Sequence, residues 1–412
     1  MTSTTYQPPT SPASDTTPII DEDPFGHEIL TEPYDFHRTL REIGPVAFLP
    51  QYGIYAMGRY AEVHAALTDW QSFQSSAGVG YANFRYEEPW RPPSVLLESD
   101  PPVHDAPRRV LSSILSPQAL RRLRPHWVAD AQQLVNDLPE GELDGVADIA
   151  RKYPLRIFPD AVGIGPDNRE NLLTFGDLGF NTFGPPNDLI RNAAEIFPPL
   201  AKWIHANTAR EVLASAVYQD EPTFGALIWA AADRGDIPAE HAPLVVRALL
   251  SAGVDTTVTG IAAALLCFAQ NPDQWQRIRE NPALIRVAFD EAVRRESPVQ
   301  VFFRTASRPV MVGDDLIPEG VKVLLFLGSA NRDPRKWDDP DRFDVGRDPS
   351  GHVGFGMGVH QCAGQHVARL EAEAILTSLS RRFSRIELTG TPTRHLNNTL
   401  RVLETLPIRL TE

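Results

Sequence analysis

The chain is poor in cysteine, with two, Cys267 and Cys362, among 412 residues. Two thiols cannot build the disulfide framework that holds small secreted domains together. Long apolar runs are also lacking. The longest uninterrupted one, residues 261–269, is too short to span a bilayer. Positive charge is in deficit: 39 Lys+Arg against 53 Asp+Glu give a formal charge of −14. Such acidity repels phosphate backbones and argues against non-specific nucleic-acid binding. No Lys or Arg precedes Arg38, so the start lacks the basic region of a signal peptide and the arginines of a transit peptide. The expectation is a cytoplasmic protein with no membrane and no nucleic-acid partner.

What is present is globular in kind: 42% hydrophobic and 22% charged residues, enough apolar material for a large core. Residues 1–23 are rich in Thr, Ser, Pro and Asp and are expected to form a disordered tail, with a single domain over 24–412. Runs 46–49 and 54–57 around a Pro-Gln-Tyr-Gly turn predict a hairpin, and 61–67 a short helix. Residues 74–98 hold three prolines and two glycines together with Tyr81, Phe84, Tyr86 and Trp90. A loop that long inside a compact domain is usually functional or disordered, and the aromatics favour function. Helical patterns dominate from 103 to 288. The longest, 243–271, is apolar on nearly every side and predicts a central buried helix. Strand patterns return at 310–327 and near the C-terminus. The fold class is mainly α with a minor β part.

Residues 354–364 carry the most chemistry: Gly-Phe-Gly-Met-Gly-Val-His-Gln-Cys-Ala-Gly. The glycines let the backbone turn sharply and approach a flat object, and Cys362 stands where a helix begins. A helix N-terminus favours thiolate, a soft metal ligand. The residues alone leave other readings open. They allow a structural loop with an inert cysteine, or a phosphate loop, although no Lys-Ser/Thr follows the glycines. They also allow a zinc site using His352, His360, Cys362 and His366, although no CxxC spacing occurs.

The glycine loop is one of several motifs that stand together in order. The others are WRPPSVLLESDPPVH (90–104), FNTFGPPN (180–187), LLSAGVDTT (249–257), EAVR (291–294) and SPVQVFFRT (297–305). In this combination the chain resembles a cytochrome P450 from about residue 25 onward, and in particular bacterial members that O-demethylate para-methoxybenzoate. The resemblance implies a triangular α-helical bundle with small sheets and haem b between the central helix and the Cys loop. Cys362 would be the axial thiolate, whose electron donation favours O–O cleavage over reversible O2 binding. Asp255 and Thr256 would be the acid–alcohol pair that moves protons during dioxygen activation. Phe355 would lie beside the haem, and His104, Arg108, Arg304 and His360 would face its propionates. Glu291 and Arg294 would form a buried structural pair, joined by an Arg from 331–350, with Arg342 ahead of Arg347. Cys267 reads as a small core hydrophobe.

For substrate, the resemblance points to Arg91, Ser94, Leu97, Phe180, Phe183, Arg247, Ala248, Ala252, Val299 and Phe302. Phenylalanines suit an aromatic ring, and a buried carboxylate needs cationic and hydroxyl donors. Related enzymes often carry Ser where this chain has Ala248. The expected reaction is oxidation of a para-substituted benzoate, with 4-methoxybenzoate giving 4-hydroxybenzoate and formaldehyde. The alternatives are hydroxylation of a fatty acid or terpenoid, a peroxygenase, or a haem sensor. No flavin or nicotinamide module is visible, so electrons from NAD(P)H are expected through a separate iron–sulfur ferredoxin and its reductase. The cluster Arg108, Arg109, Arg121, Arg122, Arg124 and His126 is the expected docking surface.

Overall fold

The computed structural model describes residues 8–412. The expected hairpin forms, with Ala47–Leu49 antiparallel to Ile54–Met57. It belongs to a five-stranded sheet. Ile54–Met57 pairs in parallel with Lys322–Phe326, which pairs antiparallel with Val301–Ala306, and that strand in turn with Phe73–Gln74. The strand Val301–Ala306 was not anticipated. Its near-continuous burial removes the alternation that marks a half-exposed strand. A smaller sheet unites Arg385–Leu388, Pro407–Thr411 and Gly141–Asp144.

Part of the segment expected to be disordered is packed. The amide of Ile20 donates to the Phe48 carbonyl and that of Phe48 to the Pro18 carbonyl. Ile20 is buried, and the Thr17 hydroxyl donates to Asp315 at 2.8 Å. Polar composition is a poor guide here, because a few backbone and hydroxyl bonds to a sheet edge offset the ordering cost. Residues 1–7 of that expectation lie outside the described residues.

Helices fill the rest, and most residues of the central one have no exposed side. From Val258 to Phe268 every residue is buried, among them Ile261, Leu265 and Phe268 at 0% exposure. Each such side chain contributes roughly 1.5–3 kcal/mol. The 32-residue helical stretch Ala239–Gln270 is apolar and long enough to cross a membrane, but 83% of its most apolar window is buried inside the protein. The single helix expected over 243–271 is in fact broken. Ala242–Gly253 and Asp255–Gln270 meet at Val254, and the hydroxyls of Thr256, Thr257 and Thr259 each donate to the carbonyl four residues earlier. Such back-bonding bends helices.

The expected pair Glu291–Arg294 is fully buried and bidentate, at 2.7 and 2.9 Å. Its third member is Arg347, whose Nε lies 3.1 Å from Glu291 Oε1. Arg342 was the expected partner, but its side chain is exposed and only its carbonyl accepts from Arg294. The carbonyls of Asp338 and Asp339 accept from the Arg347 guanidinium at 2.6 and 2.9 Å and hold it beside Glu291. Arg347→Ala is therefore expected to cost about 1.5–3 kcal/mol, the value of a hydrogen bond to a charged group. Arg342→Ala should stay within about 0.5 kcal/mol. Urea-denaturation midpoints of the two variants check this.

Candidate active site

Cys362 follows a loop whose backbone only glycine tolerates at two points. Gly356 and Gly358 have φ of +66° and +68°, and a Cβ on Gly358 would stand 2.8 Å from the Leu67 carbonyl. The Cys362 amide donates to the Phe355 carbonyl at 2.8 Å, closing the loop. Three residues on, the helix Gln365–Arg382 begins, and Arg369 ties it to Asp290 at 2.8 Å and covers the Phe355 ring at 4.6 Å. The sequence led us to expect a lowered thiol pKa. Instead burial pushes the Cys362 thiol up, against the amides of Gly364 and Gln365 and the guanidiniums of Arg108 and Arg369. Desolvation outweighs the helix terminus until a cation partners the sulfur. Cys267 is buried, its thiol pushed up to about 12 by burial, as a core residue would be.

Cys362 opens onto a cavity of about 320 Å³. All but one of the residues expected in the site line it. They are His104, Arg108, Arg304, Phe355 and His360 around the Cys loop, with Arg91, Ser94, Leu97, Phe180, Phe183, Arg247, Ala248, Ala252, Thr256, Val299 and Phe302. The exception is Asp255, which faces away from the cavity. A Cβ on Gly176 would stand 2.8 Å from its Cβ, and Oδ2 has no hydrogen-bond partner among the described residues. Burial raises its pKa to about 7, the charge of Asp177 adding to that and His395 and Arg151 opposing it. Gly253, two residues before Asp255, makes room for Phe158, whose ring a Cβ would meet at 2.5 Å.

The lower part of the cavity fits a flat dianionic group. Arg304 is 3% exposed, and among the described residues its guanidinium donates only to the neighbouring Phe303 carbonyl. Among the described residues the Arg108 guanidinium makes no hydrogen bond or ion pair, and the buried His104 Nδ1 has no hydrogen-bond partner, the Asp105 carboxylate standing 3.7 Å away. Burying cations unpaired costs several kcal/mol each, so two carboxylates belong opposite them. His360 is otherwise engaged, its Nε2 lying 3.2 Å from Asp100. Burial pushes Asp100 up, yet His360 and the amides of Ser76 and Ser75 hold it down at about 2. Burial, His360 and Arg108 push His104 down to about 4, leaving the two arginines as the fixed charges.

The upper part is aromatic. Phe180, Phe183 and Phe302 form a cluster with centroids 5.8–6.5 Å apart. Phe158, Phe175 and Phe197 also line the wall. These were not anticipated, since at helical spacing they read as ordinary core. Arg91 is not a free cation: Glu98 takes its guanidinium at 2.7 and 3.0 Å. Arg247 donates to the Pro92 carbonyl at 2.9 Å and has no carboxylate partner among the described residues.

Comparison with known proteins agrees with this arrangement. The cytochrome P450 family model matches residues 230–411. The chain is 52% identical over 396 residues to cytochrome P450 CYP199A2 of Rhodopseudomonas palustris, covering 96% of this chain and 95% of that one. It is 31% identical to the beta-dihydromenaquinone-9 omega-hydroxylase of Mycobacterium tuberculosis H37Rv, covering 95% and 79%. Among solved structures, P450BioI bound to an acyl-loaded carrier protein superposes with a TM-score of 0.82 at 26% identity, covering 93% of this chain and all of that one. With the Cys loop, the broken central helix and the unpaired arginines around one cavity, the chain belongs to the cytochrome P450 monooxygenases.

Proposed function

We propose that the protein oxidises para-substituted benzoates, with O-demethylation of 4-methoxybenzoate to 4-hydroxybenzoate and formaldehyde as the leading reaction. The observation that carries the reading is the cavity's polarity. Its walls are phenylalanine, and one end holds an arginine with no carboxylate of its own, Arg247. Ser94 lines the same cavity, two residues on from Pro92, whose carbonyl accepts from Arg247. The Ser94 oxygen accepts the amide of Leu97 at 3.1 Å, which leaves its hydroxyl proton to donate. Ala248 offers no hydroxyl, so Arg247 and Ser94 carry the anchoring.

Arg247 and Thr256 both line the cavity and lie nine residues apart, on either side of the break at Val254. That is a rise of about 13 Å, enough for a guanidinium's reach, a ring and its para substituent. A ring held by its carboxylate would present only the para group to the Cys362 end, which is positioning catalysis. Haem, held by Cys362 and faced by Arg108 and Arg304, would supply the dioxygen chemistry. Ala252 and Thr256 present their side chains to the cavity, and Thr256 Oγ1 holds its proton on the Ala252 carbonyl at 2.6 Å. That hydroxyl would relay protons that Asp255 brings from outside the cavity.

Electrons would come from a ferredoxin and its reductase. Of the basic cluster, Arg122 and Arg124 are paired with Glu221 and Glu373, leaving the exposed Arg109 and Arg121 to meet an acidic partner.

A spectral titration of the haem-loaded protein tests the substrate. 4-Methoxybenzoate is expected to shift the Soret band, with the meta isomer, the methyl ester and a straight-chain fatty acid at least ~10-fold weaker, the loss of one charged contact being about 1.5–3 kcal/mol. An equal response to all four overturns the reading.

A further inference from the structure

Two arginines, Arg91 and Arg247, line the polar end of the cavity, and only one of them is unbalanced. The Glu98 carboxylate is 1% exposed and does not line the cavity. It accepts both amino groups of Arg91, at 2.7 and 3.0 Å, and the Ser94 amide at 2.8 Å. Among the described residues the Arg247 guanidinium has only the Pro92 carbonyl. The remaining cation near Glu98 is Lys322, buried outside the cavity lining, next to Arg304, and held by the carbonyls of Ala77 and Gly78 at 3.0 and 2.7 Å.

We propose that Glu98 sets the head-group charge the cavity accepts. By occupying Arg91 it leaves one uncompensated cation, Arg247, so a singly charged carboxylate is taken and a doubly charged aryl phosphate is turned away. The proposal rests on the carboxylate-anchor reading above. A second negative charge brought out of water here would meet no free partner, and its desolvation would go uncompensated. Glu98 acts through Arg91 and is a positioning residue. Its bidentate grip also fixes the plane of the guanidinium that lies 5.7 Å from the Trp90 ring and 5.9 Å from that of Phe183.

The test is a spectral titration of the haem-loaded protein with 4-methoxybenzoate and 4-methoxyphenyl phosphate between about pH 5.5 and 7.5. The second phosphate pKa is about 6, so the phosphate passes from dianion to monoanion over this range while the benzoate stays ionised. In the wild type, the ratio of phosphate to benzoate affinity should rise more than about 10-fold as pH falls, as the monoanion fraction does. The ratio cancels any change common to both ligands; protonation of Lys322, which burial pushes down to about 7, would instead favour the dianion, and the Glu98→Gln ratio at the fixed pH of 7.5 separates that effect from Glu98. In Glu98→Gln the ratio at pH 7.5 should rise about 10-fold and its pH dependence should flatten, since Arg91 is then free for the second charge. A wild-type ratio that is flat with pH overturns the proposal even if the variant does not fold. So does a folded Glu98→Gln protein with the wild-type ratio. A wild type that ignores 4-methoxybenzoate altogether overturns the anchor reading itself, and this proposal with it.

Discussion

Cys362→His is expected to yield a folded haem protein whose carbon monoxide adduct lacks the red-shifted band of thiolate ligation, and whose monooxygenase activity is lost. Cys362 is the one thiol among the described residues that line the cavity, since the other cysteine, Cys267, is fully buried in the core. An imidazole binds iron but donates less charge, which favours reversible dioxygen binding over O–O cleavage. Changing groups one step outside a metal's ligands commonly costs ~10–100-fold, so loss of the ligand itself should exceed that. An unaltered carbon monoxide spectrum in the variant would remove the basis of the functional reading. The Phe355 carbonyl and the two positive-φ glycines hold the backbone of this loop independently of the sulfur. The variant should therefore fold, and the spectrum reports ligation.

The second large effect is expected at Asp255 and Thr256, and the two should fail differently. Asp255→Asn removes a group that takes up and releases protons outside the cavity. Turnover should fall about 10²-fold, the lower end for loss of a general acid. Burial places the Asp255 pKa at about 7. Wild-type turnover should then decline as pH rises through 7 and the donor form is lost, and this inflection should vanish in Asn. Stability carries the same signature. The folded-state pKa lies above the ordinary carboxylate value of 3.8, so the folded protein binds this proton more tightly than the unfolded chain. Stability from this group is fully present below about pH 4 and is lost as pH rises to about 7; Asp255→Asn should lack that decline. Thr256→Ala should leave reductant consumption near normal while most of the electrons appear as peroxide. Measuring peroxide, reductant and product together decides it, and tight coupling in Thr256→Ala would refute the relay.

Much of this site was legible through the resemblance, which rests on motifs in a fixed order. Cys362 with glycines before it, and the basic residues Arg108 and Arg304, stand at matching positions, and all of them line one cavity. What was illegible depends on direction rather than type. Asp255 and Thr256 are adjacent in the chain, yet only Thr256 faces the cavity, and the break at Val254 that orients them leaves no mark on an apolar run. Arg342 and Arg347 look alike in the sequence, and only the folded chain shows Arg347 on Glu291, its guanidinium also held by the carbonyls of Asp338 and Asp339. Arg91 reads as a substrate anchor until Glu98, seven residues on, is seen to hold it. The strand Val301–Ala306 lacks alternation because it is covered on both faces.

The contact of residues 18–20 with Phe48 has a practical side. The strand Ala47–Leu49 ends the large sheet, and its outward amides and carbonyls would otherwise offer a template to any extended peptide. The leading segment serves as a built-in hem along that border. A worker trimming this stretch as useless linker would be unstitching the protein's own guard against sticking to its copies.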